Sequence, residues 1–401
     1  MVSKIFKREV IHQILPYLNE KQAIILFGAR QVWKTSIMHY LMDKYLSKYQ
    51  KYYIDLEDSR FIEILDGWIE NFIQHLKEKW FDVNNQIFVF IDEIQYLSNP
   101  SSFIKLVVDH YENIKLIVSG SSAFAMKKKF QDSLVGRTIE FTIYNLSFKE
   151  FIEFKNYKID LKNVKTQKSI DELITLYKEY VFFWWYPSIV LTDGKEKKER
   201  FLQQIIDTYI RKDVKDLGKI QDIDKFNRFV ILLASMSWNL LNVDELCSTS
   251  RLARKTVEEY LNILEQTFII HRVNPFHKNI RNELWKMSKI FFYDTWLMQM
   301  LWLKSIPWEI LWSVFETSIF SQIVKKILII PNYRRTQDKK EIDFIVNTKN
   351  SLLPIEVKLN FQKFNGNAIQ YFCENYNIKD YKVIGLYWEK NKKSFIYPWE
   401  L

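Results

Sequence analysis

Ala23-Ile24-Ile25-Leu26-Phe27 is an unbroken apolar run that stops at Gly28-Ala29-Arg30-Gln31-Val32-Trp33-Lys34-Thr35, and helical spacing begins immediately beyond it. Such a run reads as a strand buried on both faces, as in a parallel sheet. Ile37, Met38, Leu41, Met42 and Tyr45 then fall on one helical face. Strand, loop and helix in this order are the context in which G-x-x-x-x-G-K-[ST] cradles phosphate. Backbone N–H groups curl round the anion, the lysine reaches the outer phosphates and the hydroxyl binds Mg²⁺. The loop keeps this pattern except at the second glycine, where Trp33 stands. That glycine lets the main chain approach the ligand with no Cβ in the way. A literal indole there either fills the phosphate space or forces the loop open, and predicts a crippled site. Gly28, Ala29, Arg30, Gln31, Val32, Trp33, Lys34, Thr35 and Ser36 are therefore the candidate nucleotide-binding residues, with Lys34 acting in catalysis and Thr35 on the metal.

About sixty residues downstream, Ile87-Phe88-Val89-Phe90-Ile91 runs into Asp92-Glu93, which reads as a Walker B strand. An aspartate at the carboxyl end of a buried strand can hold the Mg²⁺ shell beside the loop, and the next carboxylate can polarise the attacking water. Asp92 is thus a metal candidate and Glu93 a catalytic one. Leu116-Ile117-Val118 leads into Ser119-Gly120-Ser121-Ser122, where Ser119 is either a sensor of the outer phosphate or part of a plain strand-end turn. The cofactors implied are ATP and Mg²⁺.

GARQVWKT, FIDEIQ and SGSSA, with LVGR at Leu134–Arg137, YIRKD at Tyr209–Asp213, and EIDFIV and PIEVK near the end, give the chain a family resemblance. It resembles prokaryotic AAA-type ATPases that carry a winged helix and a C-terminal domain similar to restriction endonucleases. The resemblance covers nearly the whole chain. It implies that Arg137 senses or completes the nucleotide site, with Arg211 the weaker candidate. Where such proteins usually have glycine, this chain has Trp33, Trp184, Trp185, Trp238, Trp296 and Trp312. Composition points the same way, with 8 glycines and 13 tryptophans in 401 residues against a usual glycine share of about 7%. Some bacterial lineages read UGA as glycine and others as tryptophan, so translation with the wrong table explains both anomalies. The other reading is a degenerate homologue that hydrolyses nothing.

The length suits two to four domains, and a hydrophobic share of 48% suits a globular chain. The apolar stretch from Ile290 to Trp312 is broken by Asp294, Gln299, Lys304 and Glu309, which argues against a membrane span. MVSKIFKREV lacks the apolar centre of a signal peptide. Two lone cysteines, Cys247 and Cys373, suit a reducing cytoplasm. A net charge of +10 invites nucleic acid as a partner. The basic runs Lys127–Lys129, Lys195–Arg200 and Lys392-Lys393 are short and scattered, however, and AT-rich codons alone enrich lysine.

The expected fold is α/β: an AAA-type P-loop NTPase parallel sheet over 1–147, a helical lid over 148–219, a winged helix-turn-helix over 220–275 and a nuclease-like α/β domain over 276–401. Sheet strands are expected near 23–27, 52–56, 87–91, 115–118 and 139–144. In the third segment Val243–Cys247 reads as a short helix, Ser248–Ser250 as a turn, Lys255–Leu264 as a second helix and Phe268–Ile270 as a wing. Arg251, Arg254 and Lys255 would meet DNA, while Glu258 and Glu259 on the same helix favour packing on a protein. In the last segment a hairpin closing at Lys349-Asn350 would set Asp343 opposite Glu356, with Glu356 and Lys358 on one face. Two such carboxylates can hold Mg²⁺ while the lysine steadies the attacking hydroxide. The set resembles the D…E-x-K signature of restriction-endonuclease-like folds, with Glu316 as its helical acid. The expected function is an ATPase that drives or gates engagement of DNA or a protein, the alternatives being a nucleotide-free interaction protein or an ATP-gated metal-dependent nuclease; assembly into a homo-oligomer is compatible with each.

Overall fold

The computed structural model describes residues 6–120, 134–183, 186–208, 220, 222–276, 287–304, 309–336, 340–348, 351–387 and 393–401. Ser121, Ser122, Lys127–Lys129, Trp184, Trp185, the Tyr209–Asp213 segment with Arg211, the Lys349-Asn350 turn and Lys392 lie outside the described residues. The chain divides into two compact units, Met1–Asn145 and Leu146–Leu401.

In the first unit five strands, β1 (Ala23–Phe27), β2 (Gln50–Asp55), β3 (Ile87–Asp92), β4 (Ile114–Gly120) and β5 (Thr138–Thr142), form one sheet in the order β2-β3-β4-β1-β5. Every pairing is parallel. β1, β3 and β4 are buried at every position, so continuous apolar runs encode them. The two-residue period of a strand divides their side chains between two cores. Ile25, Val89, Ile91, Leu116 and Val118 pack with Phe72, Leu76, Phe103, Ile104 and Val107 on one face. Ile24, Leu26, Phe88, Phe90 and Ile117 pack with Ile37, Met38 and Leu41 on the other. The latter three belong to the Lys34–Lys44 helix, whose outer flank, Tyr45, is left exposed. The expected α/β sheet is thus present, with helices on both faces. Strand ends differ from expectation by one or two residues, where the apolar run and the hydrogen-bonded ladder do not coincide.

The second unit opens with helices Phe148–Phe154, Gln167–Phe183, Pro187–Val190 and Lys195–Thr208. Ser147 and Glu150 start the first of them with a reciprocal capping box. Helices Ile223–Ser235, Val243–Ser250 and Arg254–Gln266 follow, then an antiparallel pair, β6 (Ile270–Val273) and β7 (Lys289–Phe292). Two positions expected here are corrected. Ser248–Ser250 is helix rather than turn: the Ser248 and Ser250 hydroxyls donate to Glu245 and Leu246 carbonyls inside the helix. Arg251, at φ 55°, ends it, so the turn is 251–253. The strand expected at 268–270 starts at Ile270, because Phe268 takes φ 59° after the preceding helix.

After helices Thr295–Leu303 and Trp312–Ile327 comes a second sheet of β8 (Asn332–Arg335), β9 (Glu341–Thr348), β10 (Ser351–Asn360), β11 (Lys382–Tyr387) and β12 (Phe395–Ile396). Its order is β12-β11-β10-β9-β8, with β8, β9 and β10 antiparallel and β10, β11 and β12 parallel. Helix Asn367–Tyr376 buries Ile369 and Phe372 against Ile342 and Ile345.

Candidate functional site

The sheet order makes the site of the first unit. β4 lies between β3 and β1, so the loop after β1 and the acidic end of β3 flank one crevice at the carboxyl edge, where ligands bind in open α/β sheets. Gly28 must be glycine here: Ile143 N–H donates to Phe27 O at 2.5 Å, and a Cβ on Gly28 would collide with the Ile143 carbonyl. Lys34 is buried, and its ammonium donates to Gly28 O at 3.0 Å and Ala29 O at 2.8 Å, folded back across the loop it starts from. The Thr35 hydroxyl donates to Asp92 Oδ2 at 2.5 Å, and the buried Ser119 hydroxyl donates to Asp92 Oδ1. Glu93, at φ 55°, turns its N–H to Asp92 Oδ1 at 3.1 Å and accepts a hydrogen bond from the Gln95 amide. Lys34, Thr35, Asp92, Glu93 and Ser119 are therefore brought together.

The donor set suits a nucleotide and its cation. A hydroxyl that donates to a carboxylate at the foot of the loop gives the pair between which a divalent ion would sit.

Trp33 is the residue immediately before the Lys34–Lys44 helix. Its backbone adopts φ 66°, ψ 40°, and its indole packs beside Phe6 with ring centroids 6.5 Å apart. Gln31 is also left-handed, at φ 62°. For an L-residue this conformation costs about 1–2 kcal/mol, so the loop holds a glycine's geometry with a tryptophan in it. Trp238 and Trp80 share the conformation, at φ 66° and 65°. Trp296 instead lies buried in a helix, its indole nitrogen without a hydrogen-bond partner, and Trp312 begins one.

Arg137 is not brought to this crevice. Its carbonyl accepts Ala23 N–H at the opening residue of β1, and its guanidinium binds Asp109 Oδ1 at 2.8 Å. The five residues of β1 separate that edge from Gly28, about 17 Å at the rise of an extended chain.

Two further residues at the site carry no signal in the sequence. The Tyr53 phenol donates to Asp92 Oδ2 at 2.9 Å, and burial beside that carboxylate raises its pKa. Arg8 is buried, with Nη1 donating to Val32 O at 2.8 Å and Nη2 to Tyr144 O at 2.7 Å. Tyr53 reaches Asp92 only because β2 pairs with β3, and Arg8 is one cation in a charged N-terminal segment.

In the second unit Arg251 and Lys255 are exposed. Arg254 is already paired, with Asp244 at 2.6 Å and Glu258 at 3.1 Å.

β9 and β10 pair with Ile355 opposite Phe344, and the next step of that register sets Glu356 beside Asp343. Lys358 Nζ lies 2.7 Å from Glu356 Oε1 and 3.8 Å from Asp343 Oδ2, and Val357 N–H donates to Asp343 Oδ2 at 2.7 Å. Glu316 is fully buried, 3.3 Å from the buried Lys289, which also pairs with Glu341. Four carboxylates thus share two ammonium groups. Burial, opposed by Lys289 and reinforced by Asp343 and Glu341, pushes Glu316 up to about 8. Burial and Asp343 push Glu356 up to about 7. Glu316 Oε2 and Glu356 Oε2 are buried without a hydrogen-bond partner. Among the described residues no group of three or more His, Cys, Asp or Glu side chains is arranged to hold a metal ion. No helix among them is long and apolar enough to cross a membrane.

Strand order, loop and acidic strand end define an AAA-type P-loop fold in the first unit. Residues 20–152 match the family described as AAA domain. Residues 174–306 and 313–398 match two domains of unknown function, DUF8612 and DUF4143. An uncharacterized protein of Methanocaldococcus jannaschii is 25% identical over 298 residues, 73% of this chain and 64% of its own, so the chain spans less than two thirds of that relative. An uncharacterized protein of Haemophilus influenzae is 22% identical over 398 residues, covering 97% of this chain and 95% of its own. Among solved structures, the Walker-type ATPase PABY2304 of Pyrococcus abyssi is similar at 15% identity and a TM-score of 0.49, over 75% of this chain and 97% of that one.

Proposed function

We propose that the first domain, 1–147, binds and hydrolyses Mg-ATP, and that hydrolysis drives or gates engagement of DNA or a protein by the rest of the chain. The observation that carries this reading is the convergence of Lys34, Thr35, Asp92, Glu93 and Ser119 at one strand edge. The amides of residues 28–36 would wrap the phosphates. Lys34 would leave Gly28 O and Ala29 O for the outer phosphates, Thr35 and Asp92 would hold Mg²⁺, Ser119 would report on the terminal phosphate and Glu93 would orient the attacking water. Mg²⁺ would supply charge neutralisation between the phosphates. Arg137, remote from its own loop, would serve the site of a neighbouring copy in a homo-oligomer. Position 33 is read as glycine in the authentic polypeptide, which a UGA codon in the gene supports and a UGG codon excludes.

We assign the remainder as a helical lid over 148–219, a winged helix-turn-helix over 220–275 and a nuclease-like domain over 276–401, in a cytoplasmic protein. Arg251 and Lys255 are its free-standing candidates for DNA phosphates, whereas the acids around Arg254 favour a protein. A second reading, metal-assisted phosphodiester cleavage at Asp343 and Glu356 with Lys358, is favoured by the two unpartnered carboxylate oxygens of Glu316 and Glu356.

The test is ATP hydrolysis by the chain with glycine at position 33. Glu93→Gln should keep nucleotide binding and lose about 100-fold or more in kcat, and Lys34→Ala should lose binding. Activity no greater than that of Lys34→Ala would leave the non-hydrolysing interaction protein as the reading. Metal-dependent DNA nicking no greater than that of Asp343→Ala would remove the nuclease.

A further inference from the structure

We propose that Arg8 is a positioning residue for the phosphate loop, holding the Val32 carbonyl outward so that the next N–H faces the bound anion. The inference rests on the ATP reading of the loop. Arg8 is 4% exposed, and its two terminal nitrogens reach two different elements: Val32 O at the bend of the loop and Tyr144 O just beyond β5. One side chain therefore ties the loop to the strand beside β1.

The direction of the tie is what matters. A trans peptide carries its C=O and N–H on opposite sides, and this chain has no cis bonds among the described residues. Fixing Val32 C=O toward Arg8 turns Trp33 N–H the other way. Val32 lies between two left-handed residues, Gln31 and Trp33, where successive N–H groups can line one concave side and bind an anion. The carbonyls on the convex side still need donors. Lys34 donates to two other carbonyls of the loop, Gly28 O and Ala29 O, with its ammonium, but must abandon them to reach a phosphate. Arg8 holds a carbonyl that the nucleotide has no call on. One cation exchanges on binding and the other stays.

The experiment compares the full chain with glycine at position 33, as parent, with the same chain carrying Arg8→Gln, Arg8→Lys or Lys34→Ala, by amide hydrogen exchange over residues 29–35 and by equilibrium binding of Mg-ATP. Arg8→Gln should speed exchange in that segment and weaken ATP by about 10- to 100-fold, the range for a buried charge-assisted hydrogen bond, with exchange elsewhere in the sheet unchanged. Arg8→Lys, which can reach one carbonyl of the two, should fall between, and is the variant to read if Arg8→Gln does not fold. Loop exchange equal to the parent's in both variants overturns the proposal, as does ATP affinity within about twofold of a parent that binds. A parent that binds no more ATP than Lys34→Ala sinks the ATP reading instead, and the exchange comparison still decides the role of Arg8.

Discussion

At the scale of the residue, position 33 concentrates the chain's contradictions. Its neighbours are those of a working phosphate loop, its backbone sits at φ 66°, and its side chain is the largest available. Replacing Trp33 with glycine removes a left-handed penalty of about 1–2 kcal/mol but also the packing on Phe6. We predict a net gain of up to about 1 kcal/mol in the first unit's unfolding free energy, measured by chemical denaturation, together with tighter Mg-ATP binding. A loss of stability would mean the indole is native to the loop. Asp92 shows what a residue owes to its surroundings: hydroxyls from Thr35, Tyr53 and Ser119 all donate to it. Three donors hold its carboxylate in place where a cation's water shell would meet it.

At the scale of the element, the apolar runs of β1, β3 and β4 were legible because parallel strands buried on both faces leave no polar alternation to confuse them. So were Lys34, Thr35 and Asp92, which follow those runs directly. Tyr53 and Arg8 were not, since their partners lie across the sheet, where only strand order brings them. The second unit was harder: serines that favour turns in sequence satisfy their hydroxyls on helix carbonyls here, which moved the break to Arg251. That element also carries a prediction. If the Arg254–Gln266 helix meets duplex DNA, Lys255→Gln should weaken binding and lower the salt slope by about one. Arg254→Gln should change the slope little, because Asp244 and Glu258 already neutralise it. Fluorescence anisotropy across a salt series measures both, and a slope of zero for the parent would point to a protein partner.

At the scale of the whole molecule, each unit carries its own sensitivity. In the second, His271 lies between Glu265 and Arg272, touches the Tyr293 hydroxyl at 3.2 Å and stacks on Phe320. Burial holds its pKa below the usual histidine value, against the pull of Glu265. Below about pH 6.5 the unfolded chain takes up a proton that the folded one refuses, so this contribution to stability is present above that pH and is lost as pH falls toward the folded value. We predict that the parent loses stability more steeply than His271→Gln below pH 6.5, by at most about 1.4 kcal/mol per pH unit; parallel denaturation curves would rule this out. The first unit's dependence is of another kind. The Arg137 guanidinium binds Asp109, and its carbonyl meets the opening residue of β1; if that arginine completes the site of a neighbouring copy, as proposed, each working site needs two chains. Turnover per molecule would then climb with crowding, and a dilute sample would idle however much fuel it was given.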